Sequence, residues 1–309
     1  HEMAGTYPLA DSAAFASADA VLAGSRRPLV VDGLALPAFR LRERTASGIV
    51  ALVHHPLAEE TGLAPGDADR LRAAERADLA RVDGVVVTSA FTARALAADY
   101  GVSADRIAVV PPGVDLPEGL VADAPADGTI RLLSVAALVP RKAHRVLLEA
   151  LHAIADFPWS LTCIGADDRD STLTKAIRTF IVDSGLSTKV DILGEVDDAR
   201  LAAAYASADA FVHPALYEGY GMAVGDALAA GLPVIATSGG AIPDTVPQAA
   251  GLLVPPGDVP ALAAALRRIV CDVDLRRRLA VGAKAAGRAL PRWPATARSF
   301  AAAVGRLAS

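Results

Sequence analysis

Short runs of β-branched and other apolar residues alternate along the 309-residue chain with longer, alanine-rich stretches whose polar positions recur at helical spacing. The apolar runs predict strands at Leu29–Val31, Ile49–His54, Gly84–Thr88, Ile107–Val110, Ile130–Val135, Ser160–Ile164, Val190–Leu193, Ala210–Val212, Pro233–Ala236 and Gly251–Val254. They are continuous rather than alternating, as in strands covered on both faces. The intervening stretches predict helices over Pro65–Val82, Ala90–Tyr100, Ala143–Ala155, Ser171–Ser184, Asp198–Ser207, Met222–Ala230, Val259–Cys271 and Asp274–Ala286. Strand-helix-strand repetition of this kind predicts an α/β fold of two Rossmann-like domains with parallel sheets, separated by a cleft.

Between Pro111 and Thr129 prolines, glycines and aspartates crowd out any regular element, which marks an interdomain linker. We place a first domain at 1–118, a second at 119–292 and a last amphipathic helix at 293–309 that packs back towards the first. Fewer strands precede the linker than follow it. The first domain is therefore expected to lack its opening strand and loop.

Composition adjusts this picture only slightly. Hydrophobic content is 53% and mean hydropathy +0.37, but much of this is alanine. Every apolar run is cut by Asp, Arg, Gly or Pro before the roughly 18 residues that a spanning helix needs. The start of the chain has no basic segment followed by an apolar core, so no secretory signal is read there. Cys163 and Cys271 sit far apart in apolar surroundings, which favours a reduced, cytoplasmic protein without disulfides. A net charge of −5 argues against nucleic acid as a partner. No transmembrane segment is expected, and peripheral contact with a membrane stays open. Trp159 and Trp293 read as core residues.

The segment His213–Ala236 is the richest in chemistry. A strand ends, a loop carries Gly219 and Gly221, a helix starts near Met222 and stops at Gly231, and Pro233 opens the next strand. Unbonded amides at Tyr220, Gly221 and Met222 form an anion site at the helix N-terminus. Glu218 on the loop and Asp226 in the helix can face the same crevice at the carboxyl ends of the strands. The competing reading makes Glu218 a solvated loop acid and Asp226 a helix-surface charge.

Two further segments matter. Leu132–His144 reads as strand, turn and helix, with Arg141 and Lys142 on the turn. Paired cations there can neutralise a diphosphate without a metal. The competing reading is a basic helix start exposed to water, unfavourable against the helix dipole by a few tenths of a kcal/mol; as surface cations, their removal is expected to leave thermal stability nearly unchanged. Gly48–Pro56 is an apolar strand ending in His54 and His55. Adjacent histidines without a nearby Cys or third His do not reproduce zinc-ligand spacing, so no metal site is expected.

From Pro111 onward these segments together resemble glycosyltransferase family 4, whose members have the GT-B fold of two Rossmann-like domains facing across a cleft. The family pattern runs Glu, Gly, Phe or Tyr, Gly, four residues, then a second Glu, and Glu218–Asp226 matches it with Asp226 in the second acidic place. Val110-Pro111-Pro112-Gly113-Val114-Asp115, Ser238–Asp244 and Leu252–Asp258 match its flanking motifs in order. The resemblance implies retaining transfer of a sugar from a UDP- or GDP-linked donor to a hydroxyl-bearing acceptor, with no further cofactor. It implies that Glu218 contacts the donor sugar and that Asp226 accepts from the ribose hydroxyls. His54 would lie beside the reacting centre, and Glu195 and Val196 against the nucleobase. The family's Gly-Arg before the cationic turn is Ala136-Ala137 here, and its closing Gly is Ala143. Ala137 and Asp226 carry the alternative: a degenerate domain that binds nucleotide or a partner without transferring sugar. A phosphorylase would need a pyridoxal lysine in a glycine-rich setting, which Lys284 does not have.

Overall fold

The computed structural model describes residues 2–41, 48–64, 66–114 and 128–308. Linker residues 115–127, with the expected 118/119 boundary, and Pro65 as a helix start lie outside the described residues. The chain forms two compact units, 1–113 with 292–309 and 114–291. Val114 already belongs to the second unit, its N–H donating to Pro291 O (3.0 Å).

The strands are β1 (Leu29–Asp32), β2 (Ile49–Val53), β3 (Gly84–Val87), β4 (Ile107–Val109), β5 (Ile130–Val135), β6 (Trp159–Ile164), β7 (Val190–Ile192), β8 (Ala210–His213), β9 (Val234–Thr237) and β10 (Gly251–Val254). The helices are α1 (Ser12–Gly24), α2 (Asp67–Leu79), α3 (Ala90–Asp99), α4 (His144–His152), α5 (Ser171–Asp183), α6 (Asp198–Ser207), α7 (Met222–Ala229), α8 (Ile242–Thr245), α9 (Val259–Cys271), α10 (Val273–Ala289) and α11 (Trp293–Leu307). None of the described helices is long and apolar enough to cross a membrane.

Local chemistry sets many of these boundaries. Asp170, Asp197, Asp258 and Asp272 each accept a first-turn amide at 2.8–2.9 Å and so start α5, α6, α9 and α10. Each such cap is worth about 1 kcal/mol. Ser89 does the same for α3 through Thr92 N (3.1 Å). Gly231, at φ 78°, closes α7 with Leu232 N bonding back to Ala227 O (2.9 Å). The sequence pattern misses α1, because alanine lies all round it and no apolar face stands out. It also misses the short α8.

In the first unit β1, β2, β3 and β4 lie side by side in chain order, all parallel. The helix α11 covers one face of this sheet, where Ala303 and Leu307 pack with Val50, Val86 and Ala108. Trp159 is buried as expected, but Trp293 is 42% exposed. At the first position of α11 it is the Trp293 backbone that packs on Gly113, where a Cβ would overlap it.

The second unit has a six-stranded parallel sheet in the order β10-β9-β8-β5-β6-β7. The chain runs outward from β5 to β7, then crosses to β8 on the other side of β5 and runs outward again. Strands β8 and β9 are buried along their whole length, so neither face is free to take water. Trp159, Leu147 and Leu266 fill the core on one side, and Phe211, Leu228 and Ile242 on the other.

Candidate functional site

In an open parallel sheet the loops diverge where the strand order reverses, leaving a crevice beyond the carboxyl ends. In the second unit that point lies between β5 and β8. The loop after β5 carries Arg141 and Lys142, and the loop after β8 carries Glu218, so topology brings together residues 76 apart in sequence. Backbone bonds tie the loops directly: Leu216 N donates to Arg141 O (2.8 Å). Arg141 Nη1 donates to Tyr217 O (2.9 Å).

Glu218 is therefore no solvated loop acid, being only 6% exposed. Its Oε1 accepts from Lys142 Nζ and from His213 Nε2 (2.8 Å), and its Oε2 lies 3.5 Å from Arg141 Nη1. Burial by itself would push this carboxyl up; the hydrogen bond from His213 and the charges of His213 and Lys142 outweigh it. The group is held well below the usual carboxylate range. Behind it, Ala241 N donates to Glu218 O (2.8 Å), and a Cβ on Gly240 would overlap the same backbone. The glycines of Ser238–Gly240 thus let two loops touch.

The cations differ from expectation. Arg141 and Lys142 lie on a single 3₁₀ turn, Pro140–Lys142, rather than on an exposed helix start. Their side chains are 15% and 18% exposed. They are partners of a buried acid, and the view of them as surface groups irrelevant to stability is corrected. Ala143, where the family pattern has Gly, follows with φ 50° and ψ 38°, a left-handed backbone that glycine adopts more easily.

The helix α7 starts as its glycines suggest. Gly221 caps it at φ 88°, and the first intrahelical bonds run from Val224 N and Gly225 N to Gly221 O (2.9 and 3.1 Å). The amides of Tyr220, Gly221 and Met222 thus precede the helix's own bonding and face its N-terminal side. Asp226 lies about one turn further in, half-buried. After burial, its charge is the next reason that the Tyr205 and Tyr220 phenols are raised. Glu195, exposed, and Val196, half-buried, follow Gly194 beyond β7. Gly194 O accepts from Gly165 N (2.9 Å), which ties the β6 and β7 loops together.

In the first unit, His54 lies just past β2, exposed, with Nε2 3.0 Å from Asp32 Oδ2. The bond to Asp32 raises the imidazole, against the opposing effect of burial. His55 turns to Glu60 instead (3.3 Å). Among the described residues no group of three or more His, Cys, Asp or Glu could hold a metal ion.

Three residues escaped the sequence reading. Asp32 ends an apolar strand whose register sets it beside Leu52, two residues before His54. His213 ends β8, and His144 starts α4 with 4% exposure. A histidine inside an otherwise apolar run was the available signal for His213.

Residues 129–272 match the family described as glycosyl transferases group 1, and residues 10–118 match glycosyltransferase family 4. A D-inositol 3-phosphate glycosyltransferase of Xylanimonas cellulosilytica is 31% identical over 77% of this chain and 62% of its own length. A GDP-mannose-dependent monoacylated alpha-(1-6)-phosphatidylinositol monomannoside mannosyltransferase of Corynebacterium glutamicum is 32% identical over 83% of this chain and 68% of its own. The chain spans 62%, 61% and 58% of the lengths of the first three curated relatives that it matches. Sucrose-phosphate synthase from Thermosynechococcus elongatus superposes with a TM-score of 0.81 at 26% identity, over 96% of this chain and 77% of that one. The two α/β units are those of the GT-B fold, and the chain belongs to glycosyltransferase family 4.

Proposed function

We propose that this chain transfers a sugar from a UDP- or GDP-linked donor to a hydroxyl acceptor, with retention at the anomeric carbon. One observation carries the reading: a buried carboxylate and two cations converge at the strand-order reversal of the second sheet, beside an amide-rich helix start. A diphosphate is a stronger partner for Arg141 and Lys142 than a single carboxylate, because it spreads more charge over more acceptors. The donor's diphosphate would draw these side chains from Glu218 and rest its oxygens on the amides of Tyr220, Gly221 and Met222. Asp226 would accept from the ribose hydroxyls, with Glu195 and Val196 beside the base. Glu218, released from its cations, would accept from hydroxyls of the sugar.

The bond from the anomeric carbon to the diphosphate oxygen breaks, and a bond from that carbon to the acceptor oxygen forms on the same face. The acceptor's proton passes to the departing phosphate, so no strongly basic side chain is required. Arg141, Lys142 and the helix amides stabilise the departing charge, which is the main demand of the step.

Ala137 and the engagement of both cations with Glu218 support a second reading, a nucleotide-binding domain without transfer. Calorimetric titration with UDP-glucose and GDP-mannose, followed by measurement of nucleoside diphosphate release, separates the two. Binding with release supports transfer, binding alone supports the second reading, and no binding at millimolar donor refutes both.

A further inference from the structure

His213 ends β8 in a setting where an apolar residue would pack well. It is 1% exposed, its ring lies 6.1 Å from that of Phe211 at 13°, and Phe211 stacks in turn on Tyr205. Its Nδ1 is buried without a hydrogen-bond partner among the described residues. Leaving an imidazole nitrogen unpartnered in the core is unfavourable, and a leucine or phenylalanine would avoid it. What the histidine supplies instead is its other nitrogen, 2.8 Å from Glu218 Oε1. In either charge state of the ring, that nitrogen carries the proton that the carboxylate accepts.

The three partners of Glu218 differ in freedom. Arg141 and Lys142 sit on long, flexible side chains that a diphosphate can draw away. His213 ends a buried strand, is itself 1% exposed and stacks on the Phe211 ring, so it has little room to move. The neighbouring His144, buried with neither ring nitrogen partnered among the described residues, does not compete for the carboxylate. Burial first, then the charges of His213 and Lys142, press His144 down to about 4, so it stays neutral.

Resting on the glycosyl-transfer reading above, we propose that His213 is a positioning residue of the donor site. It holds the Glu218 carboxylate in place when Arg141 and Lys142 turn to the diphosphate, and leaves the second carboxylate oxygen to a donor-sugar hydroxyl. Without it, Glu218 loses its remaining proton donor at the moment that the sugar needs it.

The test compares the native chain with H213L and H213Q, with UDP and GDP as ligands and with whichever of UDP-glucose or GDP-mannose the native chain turns over. Nucleoside diphosphates lack the sugar, so H213L should bind them within about 2-fold of native while donor kcat falls about 10–100-fold, the range seen when a supporting partner is removed. H213Q, whose amide N–H reaches towards the same oxygen, should recover most of that loss. Should H213L fail to fold by circular dichroism, H213N takes its place, being polar but too short to reach Glu218. Native turnover in H213L overturns the proposal. So does a parallel loss of nucleoside diphosphate binding, or a failure of H213Q to recover activity while folded. A native chain that binds neither donor overturns the transfer reading itself, which distinguishes that failure from the others.

Discussion

Glu75 offers the sharpest physical test of the first unit. It lies on α2, 2% exposed, and its Oε2 accepts from Leu57 N (2.9 Å), so it holds the turn that follows His54–Pro56. Burial pushes its carboxyl from the ordinary 4.5 up to about 7, against the pull of the hydrogen bond from Leu57 N. The folded chain therefore binds a proton that the unfolded chain has released between about pH 4.5 and 7. Where the folded state holds the extra proton, stability falls as pH rises. At 1.36 kcal/mol for each tenfold difference in proton affinity, the full penalty is about 3 kcal/mol above pH 7, and under 1 kcal/mol of it is felt at pH 5. Glu75→Gln keeps an oxygen for Leu57 N and removes the charge. Urea unfolding followed by circular dichroism should show the variant within about 1 kcal/mol of native at pH 5 and about 2–3 kcal/mol more stable at pH 8. A stability difference that is the same at both pH values would refute the burial argument.

Other outcomes follow from the same structure. Arg141→Ala with Lys142→Ala should weaken UDP or GDP binding by roughly 2–4 kcal/mol in calorimetry. It should also lower unfolding stability by more than about 1 kcal/mol, because Glu218 stays buried with fewer partners; unchanged stability would contradict the pairing. Asp32→Asn should move the His54 imidazole back down towards 6.5, since the carboxylate is what favours the charged ring; an NMR titration of the ring nitrogens reads this, and an unmoved midpoint would sink it. Because the His54 imidazole is raised on folding, its pairing contributes stability below the unfolded value and loses it as pH rises through the folded one. Ala143→Gly should raise stability by about 0.5–1 kcal/mol in thermal unfolding, the relief of a left-handed alanine less the extra freedom of glycine when unfolded. A destabilised variant would mean that the alanine side chain earns its place by packing.

Much of the architecture was written locally. The continuous apolar run at Gly84–Val87 can be satisfied only between covered faces, and an aspartate ahead of α5, α6, α9 and α10 needs only its own first turn to act as a cap. Gly221 and Gly231 mark the ends of α7 by the backbone angles that they permit. The family motifs lie in the same local grammar, which is why Glu218, Asp226 and the cationic turn could be picked out before any fold was known.

What the sequence could not supply is adjacency. That β8 lies against β5 rather than β7 decides that Lys142 and Arg141 meet Glu218, and sheet order depends on how whole layers bury their faces, not on any short segment. The pairing of His54 with Asp32 needs the register of β1 on β2. The roles of His213 and Glu75 need burial, since the same side chains in water would exchange these partners for solvent. Only the tertiary structure removes that water, and it is the loss of water that turns an imidazole at the end of a strand into a fixed partner for a carboxylate.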